Sequence, residues 1–404
     1  MSYRAVLRTP HALRTFVAAL VGRLSYGVVF VSLTVAVTGA TGSYSLAGGT
    51  IALFGLGVVL VAPLRASLID RHGPRRILPP LAGAYAVFLA ALAAATWRPG
   101  APAGLLLALT AAAGVCSPPL GPVMRAMWSN LLPDDPSGRQ RAFALDTVVE
   151  ELLFVTGPLL ASVFIALGRP ALGVAVSAGL VITGTLAMVS SPAAAAWPRP
   201  VAGGVAGRAR IGRTLFDPVF VAWGIGLGLG AANLLVVAFA TSHNQIVAVA
   251  GFEAAMAAGS AIGGIAYGAR DWAQPQRTQL ASLTLALAAV LAGFGLAPGV
   301  AVLAAAGALA GLFVAPALTT AYLLADREAP PSARTRAGTW VNTAFNAGSS
   351  GGTAAVGLLI GRLPLALCFA VAALPMLLSA VTALAPRAPQ RSWAATPVEE
   401  YAQQ

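Results

Sequence analysis

The chain is a succession of long apolar runs joined by short polar connections, and that pattern leaves few folds open. A helix that crosses a hydrocarbon layer of roughly 30 Å needs about 20 apolar residues at 1.5 Å of rise each. Six stretches in the first half fit, at 15–38, 45–68, 77–97, 103–128, 142–167 and 171–191. Six more follow at 215–240, 246–268, 279–297, 300–325, 337–360 and 364–385. A spanning β-barrel would show short segments of alternating polarity, whereas these runs are continuous and rich in Ala, Leu, Val and Gly. The expected fold is all-α, with twelve transmembrane helices.

Composition removes the main alternatives. Of 404 residues, 58% are hydrophobic and 9% charged, too little polar surface for a water-soluble enzyme of this size. The formal charge is +12, and every basic residue is an arginine. These arginines are scattered between apolar runs rather than gathered on one domain, so no nucleic-acid partner is expected. Threaded through twelve spans, nineteen of them fall on one side, while Arg98, Arg169 and Arg362 fall on the other. Cytoplasmic loops retain positive charge, so both termini are expected in the cytoplasm and the protein in a cell membrane. Cys116 and Cys368 lie within apolar runs, and His11, His72 and His243 lack ligand spacing, so neither a disulfide framework, a metal site nor a cofactor is expected. A phosphate-binding Gly-x4-Gly-Lys-Ser/Thr loop is absent, which excludes a nucleotide-driven motor of that type. No cleavable signal segment is expected ahead of the first span.

The longest connection, 192–214, carries four arginines with Pro and Gly and divides the spans six and six. The expected organisation is a cytoplasmic segment 1–14, a bundle 15–191, the linker 192–214, a second bundle 215–385 and a cytoplasmic tail 386–404. Asp217-Pro218 reads as the cap and first turn of the seventh span.

At the end of the second span the chain reads Ala66-Ser-Leu-Ile-Asp-Arg-His-Gly-Pro-Arg-Arg-Ile-Leu78. This resembles the signature of the major facilitator superfamily, Gly-x-Leu-x-Asp-Arg-x-Gly followed by basic residues. Leu68, Asp70, Arg71, Gly73, Arg75 and Arg76 match, and Ala66 replaces the first glycine. The resemblance implies two pseudo-symmetric six-helix bundles and transport by alternating access. Gly73 and Pro74 break the helix, and Asp70 can latch helix ends through a salt bridge or a facing helix dipole. A loop that only sets topology would explain the arginines, but not Asp70 with Gly73. Gly263 to Trp272 is a degraded copy in the second half, with Gly259, Gly263, Gly264 and Gly268 spaced for close helix approach. Gly157-Pro158 in the fifth span resembles the core of the antiporter motif of drug exporters in this superfamily. Leu153 replaces that motif's earlier glycine, and a structural kink is the equal alternative.

Ionisable side chains inside spans are costly and mark cavities or partners. Arg23 and Glu150 each lie nine residues beyond another arginine, which places both about 13 Å deep. The family fold makes the first and fifth helices neighbours, and so implies that Arg23 meets Glu150 or Glu151. Asp146 and Glu150 share a helix face, with Glu151 turned by about 100°. One acid then pairs while another titrates, which suits proton coupling, or all are satisfied in a structural pair that pins the helices. Arg125 and Asp146 approach the ends of their spans as a second pair. Ser117-Pro118-Pro119-Leu-Gly-Pro122 cannot continue an ordinary helix, so its freed carbonyls either line a cavity or are covered by neighbours. Glu253 and Asn233 come to comparable depths and are placed to touch. Asn342 and Asn346, with Trp340 nearby, either line the cavity or bond between helices. Tyr26 is one turn from Arg23 and is a further cavity candidate.

The expected function is secondary active transport across the lipid bilayer: proton-coupled export of a small amphipathic or apolar molecule. Uptake of a nutrient or organic anion bound by Arg23 is one rival, and a transport-inactive sensor or scaffold another.

Overall fold

The computed structural model describes residues 2–197 and 215–384. Most of the 192–214 linker and the whole 386–404 tail therefore lie outside the described residues. The first half comprises α1 Tyr3–Arg8, α2 Ala12–Thr41, α3 Tyr44–His72, α4 Pro74–Ala95, α5 Ala103–Cys116, α6 Leu120–Leu131, α7 Pro136–Ala166, α8 Pro170–Val189 and α9 Pro192–Ala195. The second half comprises α10 Phe216–Ser242, α11 Ala248–Ala269, α12 Gln276–Gly293, α13 Val300–Glu328, α14 Arg334–Gly357 and α15 Leu365–Leu384.

Helices α2 to α8 pack chiefly on one another, as do α10 to α15, giving two bundles. Among the described residues eleven spans, with α5 and α6 counted together, are long and apolar enough to cross a membrane. The remaining helix, α14, is 24 residues long and is lowered in hydropathy by Asn342, Asn346 and its Ser and Thr residues. It nevertheless packs tightly on α10, because Gly348 and Gly352 let its backbone touch the backbone at Trp223 and Leu227. With α14 included, the described residues hold twelve candidate spans, six in each half.

Local signals set the helix ends. Ser43 accepts the amide of Leu46, and Asp135 accepts that of Gly138, as N-caps do. Gly42 ends α2 and Gly73 ends α3, both at positive φ. Asp217 is not the cap expected of it: α10 begins at Phe216, and Asp217 lies in its first turn, paired with Arg277 at 3.3 Å. The prolines of the fourth span do break it, between Cys116 and Leu120, because they remove amide donors. At Gly157-Pro158, by contrast, α7 runs on without interruption.

Candidate functional site

The deepest charged cluster is built on α2, α6 and α7. Arg23 is buried on α2 and grips Asp146 of α7 with two bonds, Nη1 to Oδ1 at 2.9 Å and Nη2 to Oδ2 at 3.1 Å. Asp146 is wholly shielded and takes a second cation, Arg125, whose Nε lies 3.0 Å from Oδ2. Arg125 also reaches Glu150 through Nη2. The expected pairing of Arg23 with Glu150 or Glu151 is therefore corrected. Helical rise places the backbones at similar depth, but a long guanidinium reaches a full turn along α7 to Asp146, and Arg125 occupies Glu150.

The cluster does not end within one bundle. The Arg125 guanidinium lies on the ring of Tyr322 in α13, 3.6 Å from its centroid, and Tyr322 Oη donates to Asn342 Oδ1 of α14 at 3.3 Å. Asn342 thus bonds between helices, while the exposed Asn346 bonds back to the Asn342 carbonyl at 2.8 Å. Tyr322 was not singled out in the sequence, where a lone tyrosine in an apolar run carries no signal of a cation partner.

Glu151 stands apart. Of the three acids on α7 it alone is in no ion pair among the described residues, and its Oε1 has no hydrogen-bond partner. It faces the Ser260 hydroxyl of α11, in the other bundle, and that hydroxyl already accepts the Ala315 amide at 3.1 Å.

Arg65 of α3 is the second feature that sequence reasoning passed over, although a cation inside a span was the available signal. Among the described residues it is buried with no acid in ion-pair range, and it spends Nη1 on the broken fourth span and Nη2 on its own helix. Nη1 reaches the carbonyls of Gly114 at 2.9 Å, Val115 at 3.0 Å and Ser117 at 2.5 Å, and Nη2 reaches that of Val58 at 2.7 Å. Tyr26 Oη donates to the Pro118 carbonyl. Neighbouring side chains therefore cover the carbonyls freed by Pro118 and Pro119, and Tyr26 does so as a structural donor, half-buried against Tyr85.

The arginine-rich end carries the contacts between the bundles. Asp70 accepts the amides of Thr335 at 3.2 Å and Arg336 at 3.0 Å, the first turn of α14, where the helix dipole favours a negative charge. Arg75 bonds the carbonyls of Val189 and Ser191, whereas Arg71 and Arg76 are exposed and Leu68 is half-buried. The degraded copy in the second half also latches, by different chemistry. Gln140 Nε2 donates to the carbonyls of Tyr267 at 2.9 Å and Arg270 at 2.8 Å, and Arg141 pairs with Asp271 at 3.3 Å. Ser129 bonds Asp326 at 2.8 Å, and Arg334 bonds Asn130 at 3.4 Å. Gly259 and Gly263 seat α11 on α13, while Gly264 and Gly268 face Val148, Ala144 and Tyr3 of the first bundle.

The remaining candidates are more open. Trp340, Asn233 and Asn346 are exposed and Glu253 is half-buried. No hydrogen bond joins Glu253 to Asn233 among the described residues, and α10 and α11 meet only lightly. Gly157 packs against the Gly27 backbone, where a Cβ would collide. Among the described residues no three His, Cys, Asp or Glu side chains converge on a metal-sized site.

Comparisons agree with this architecture. The human organic anion transporter MFSD10 (TETRAN) superposes with a TM-score of 0.67 at 16% identity, over 92% of this chain and 98% of that one. A bacterial homologue of the iron transporter ferroportin, in an outward-facing state, gives 0.71 at 15% identity over 92% and 98%. At these identities the likeness shows the fold. No curated protein matches the sequence. The model of the Major Facilitator Superfamily matches residues 15–272, and the chain belongs to that superfamily of multi-pass membrane transporters.

Proposed function

We propose that the protein is a proton-coupled exporter of a small amphipathic or apolar molecule, with Glu151 as the proton-carrying group. The observation that carries this reading is the division of labour on α7. Asp146 and Glu150 are held by guanidiniums, whereas Glu151 faces the other bundle with no cation. Groups that stay paired set the geometry, and the unpaired carboxylate changes charge. Its surroundings are Glu150 on its own helix and Ser260 on α11, so a proton on Glu151 removes an unneutralised charge from the joint between the bundles.

The rest of the machinery follows. The arginine-rich end faces the cytoplasm by the positive-inside rule. Asp70 on the start of α14 and Gln140 on the end of α11 close that end. Substrate is assigned to Trp340, Asn233, Asn346 and Glu253, exposed or half-buried side chains whose indole, amide and acid groups suit amphipathic compounds. Export is supported by the Gly157-Pro158 pair. Arg23 and Arg125 are already ion-paired, which speaks against the rival reading of an organic anion bound by Arg23.

Proteoliposomes test the coupling. A ligand is first found by thermal-shift screening of amphipathic compounds, ethidium among them, since a bound ligand raises apparent stability. Glu151→Gln is expected to abolish accumulation driven by a pH gradient while retaining ligand exchange at equal pH. Unchanged gradient-driven transport by Glu151→Gln refutes the assignment.

A further inference from the structure

A second site lies at the other end of the first bundle, away from the charged cluster. The end of α2, the α4–α5 turn and the α7–α8 turn enclose a cleft of about 410 Å³. It is lined by small residues, Gly39 and Ala171 among them, together with Trp97, Arg98 and Arg169. Arg98 and Arg169 are thus two of the three arginines that the span pattern assigns to this side, brought to one opening.

The turns that present them are well bonded. The Gly100 amide donates to the Ala40 carbonyl at 2.9 Å, which ties the α4–α5 turn to α2. Gly168 adopts φ of 68°, and the Arg169 amide closes back on the Phe164 carbonyl at 2.9 Å, so α7 ends in a fixed turn. Arg169 is also the N-cap of α8, whose first turn opens onto the cleft with Pro170 and adds the positive end of a 20-residue helix.

No carboxylate answers this charge. The segments that form the cleft contain neither Asp nor Glu, and neither arginine is in an ion pair among the described residues. Trp97 is 52% exposed at the end of its span, where indole rings sit at headgroup level. Two exposed arginines lining one cleft, whose guanidiniums carry forked donors, together with a helix N-terminus favour a tetrahedral anion over a cation or a neutral solute.

We propose that this cleft binds a phosphate-bearing anion, with Arg98 and Arg169 as its ligands. The same chemistry is supplied by an anionic phospholipid headgroup and by free phosphate, and the test separates them. The full chain is purified in detergent, and its thermal unfolding is followed with phosphatidylglycerol, with phosphatidylcholine and with inorganic phosphate. The wild type is compared with the Arg98→Gln/Arg169→Gln double variant and with Arg71→Gln/Arg76→Gln, which alters exposed arginines at the opposite end. Phosphatidylglycerol is expected to raise the wild-type midpoint more than phosphatidylcholine. The cleft variant should lose at least half of that difference with its lipid-free midpoint unchanged, and the opposite-end variant should lose less. An equal rise with inorganic phosphate that also depends on Arg98 and Arg169 assigns the site to a free anion. A cleft variant that responds to both anions as the wild type does, or a wild type that responds to neither, overturns the proposal.

Discussion

Asp146 carries two cations on one carboxylate and is fully shielded, so its worth lies less in mutual attraction than in what its loss would leave behind. Removing one partner of a buried pair typically costs about 3–5 kcal/mol, because the remaining charge is uncompensated. Asp146→Asn strands Arg23, which has no other carboxylate in its ion pair, and takes one of two acids from Arg125, whereas Glu150→Gln leaves Arg125 its contacts with Asp146 and Tyr322. Asp146→Asn should therefore lower the unfolding midpoint in detergent clearly more than Glu150→Gln. The sequence pointed to Arg23 with Glu150 or Glu151, and to Arg125 with Asp146 as a separate pair, since ions inside spans are rare. It did not show that Arg23 takes Asp146, because rise per residue fixes the depth of a Cα and not the reach of a guanidinium. Asp70 was legible as a latch on a facing helix end, whereas Arg71 and Arg76 of the same segment stay exposed.

Among the elements, α7 is where sequence spacing translates most directly into packing. Gly157 brings α7 onto α2 at Gly27, and this contact needs a residue without a side chain on both helices. Gly157→Val forces the helices apart and is expected to cost about 1–3 kcal/mol, the usual range for overpacking. Its check is a lower unfolding midpoint that Pro158→Ala does not reproduce. The broken fourth span shows the limit of local reading. Three prolines forecast the break between α5 and α6, yet the donors that satisfy it come from Arg65 and Tyr26, on other helices. Helix α14 shows the same limit from the other side. Its amides lower its hydropathy, but Gly348 and Gly352 give it a seat against α10 that no single-helix property reveals.

For the whole molecule, two bundles meet at the arginine-rich end through contacts related by the internal repeat but different in chemistry. Asp70 caps the start of α14, Gln140 bonds the end of α11, and Glu151 faces Ser260 deeper along the same joint. In our account this end opens and closes with the charge of Glu151, since a ligand or proton shifts a two-state balance only by what it gains differently in the two states. The direct test places spin labels at His72 and Ala273, exposed positions on opposite bundles, in a Cys116→Ala/Cys368→Ala background reconstituted in lipid. The wild type should show short distances in acidic buffer and a growing population of long distances as the buffer turns alkaline. Glu151→Gln should keep one distance distribution at every pH, and Asp70→Asn should keep the pH response. A Glu151→Gln protein whose distances shift with pH as the wild type's do would contradict the account.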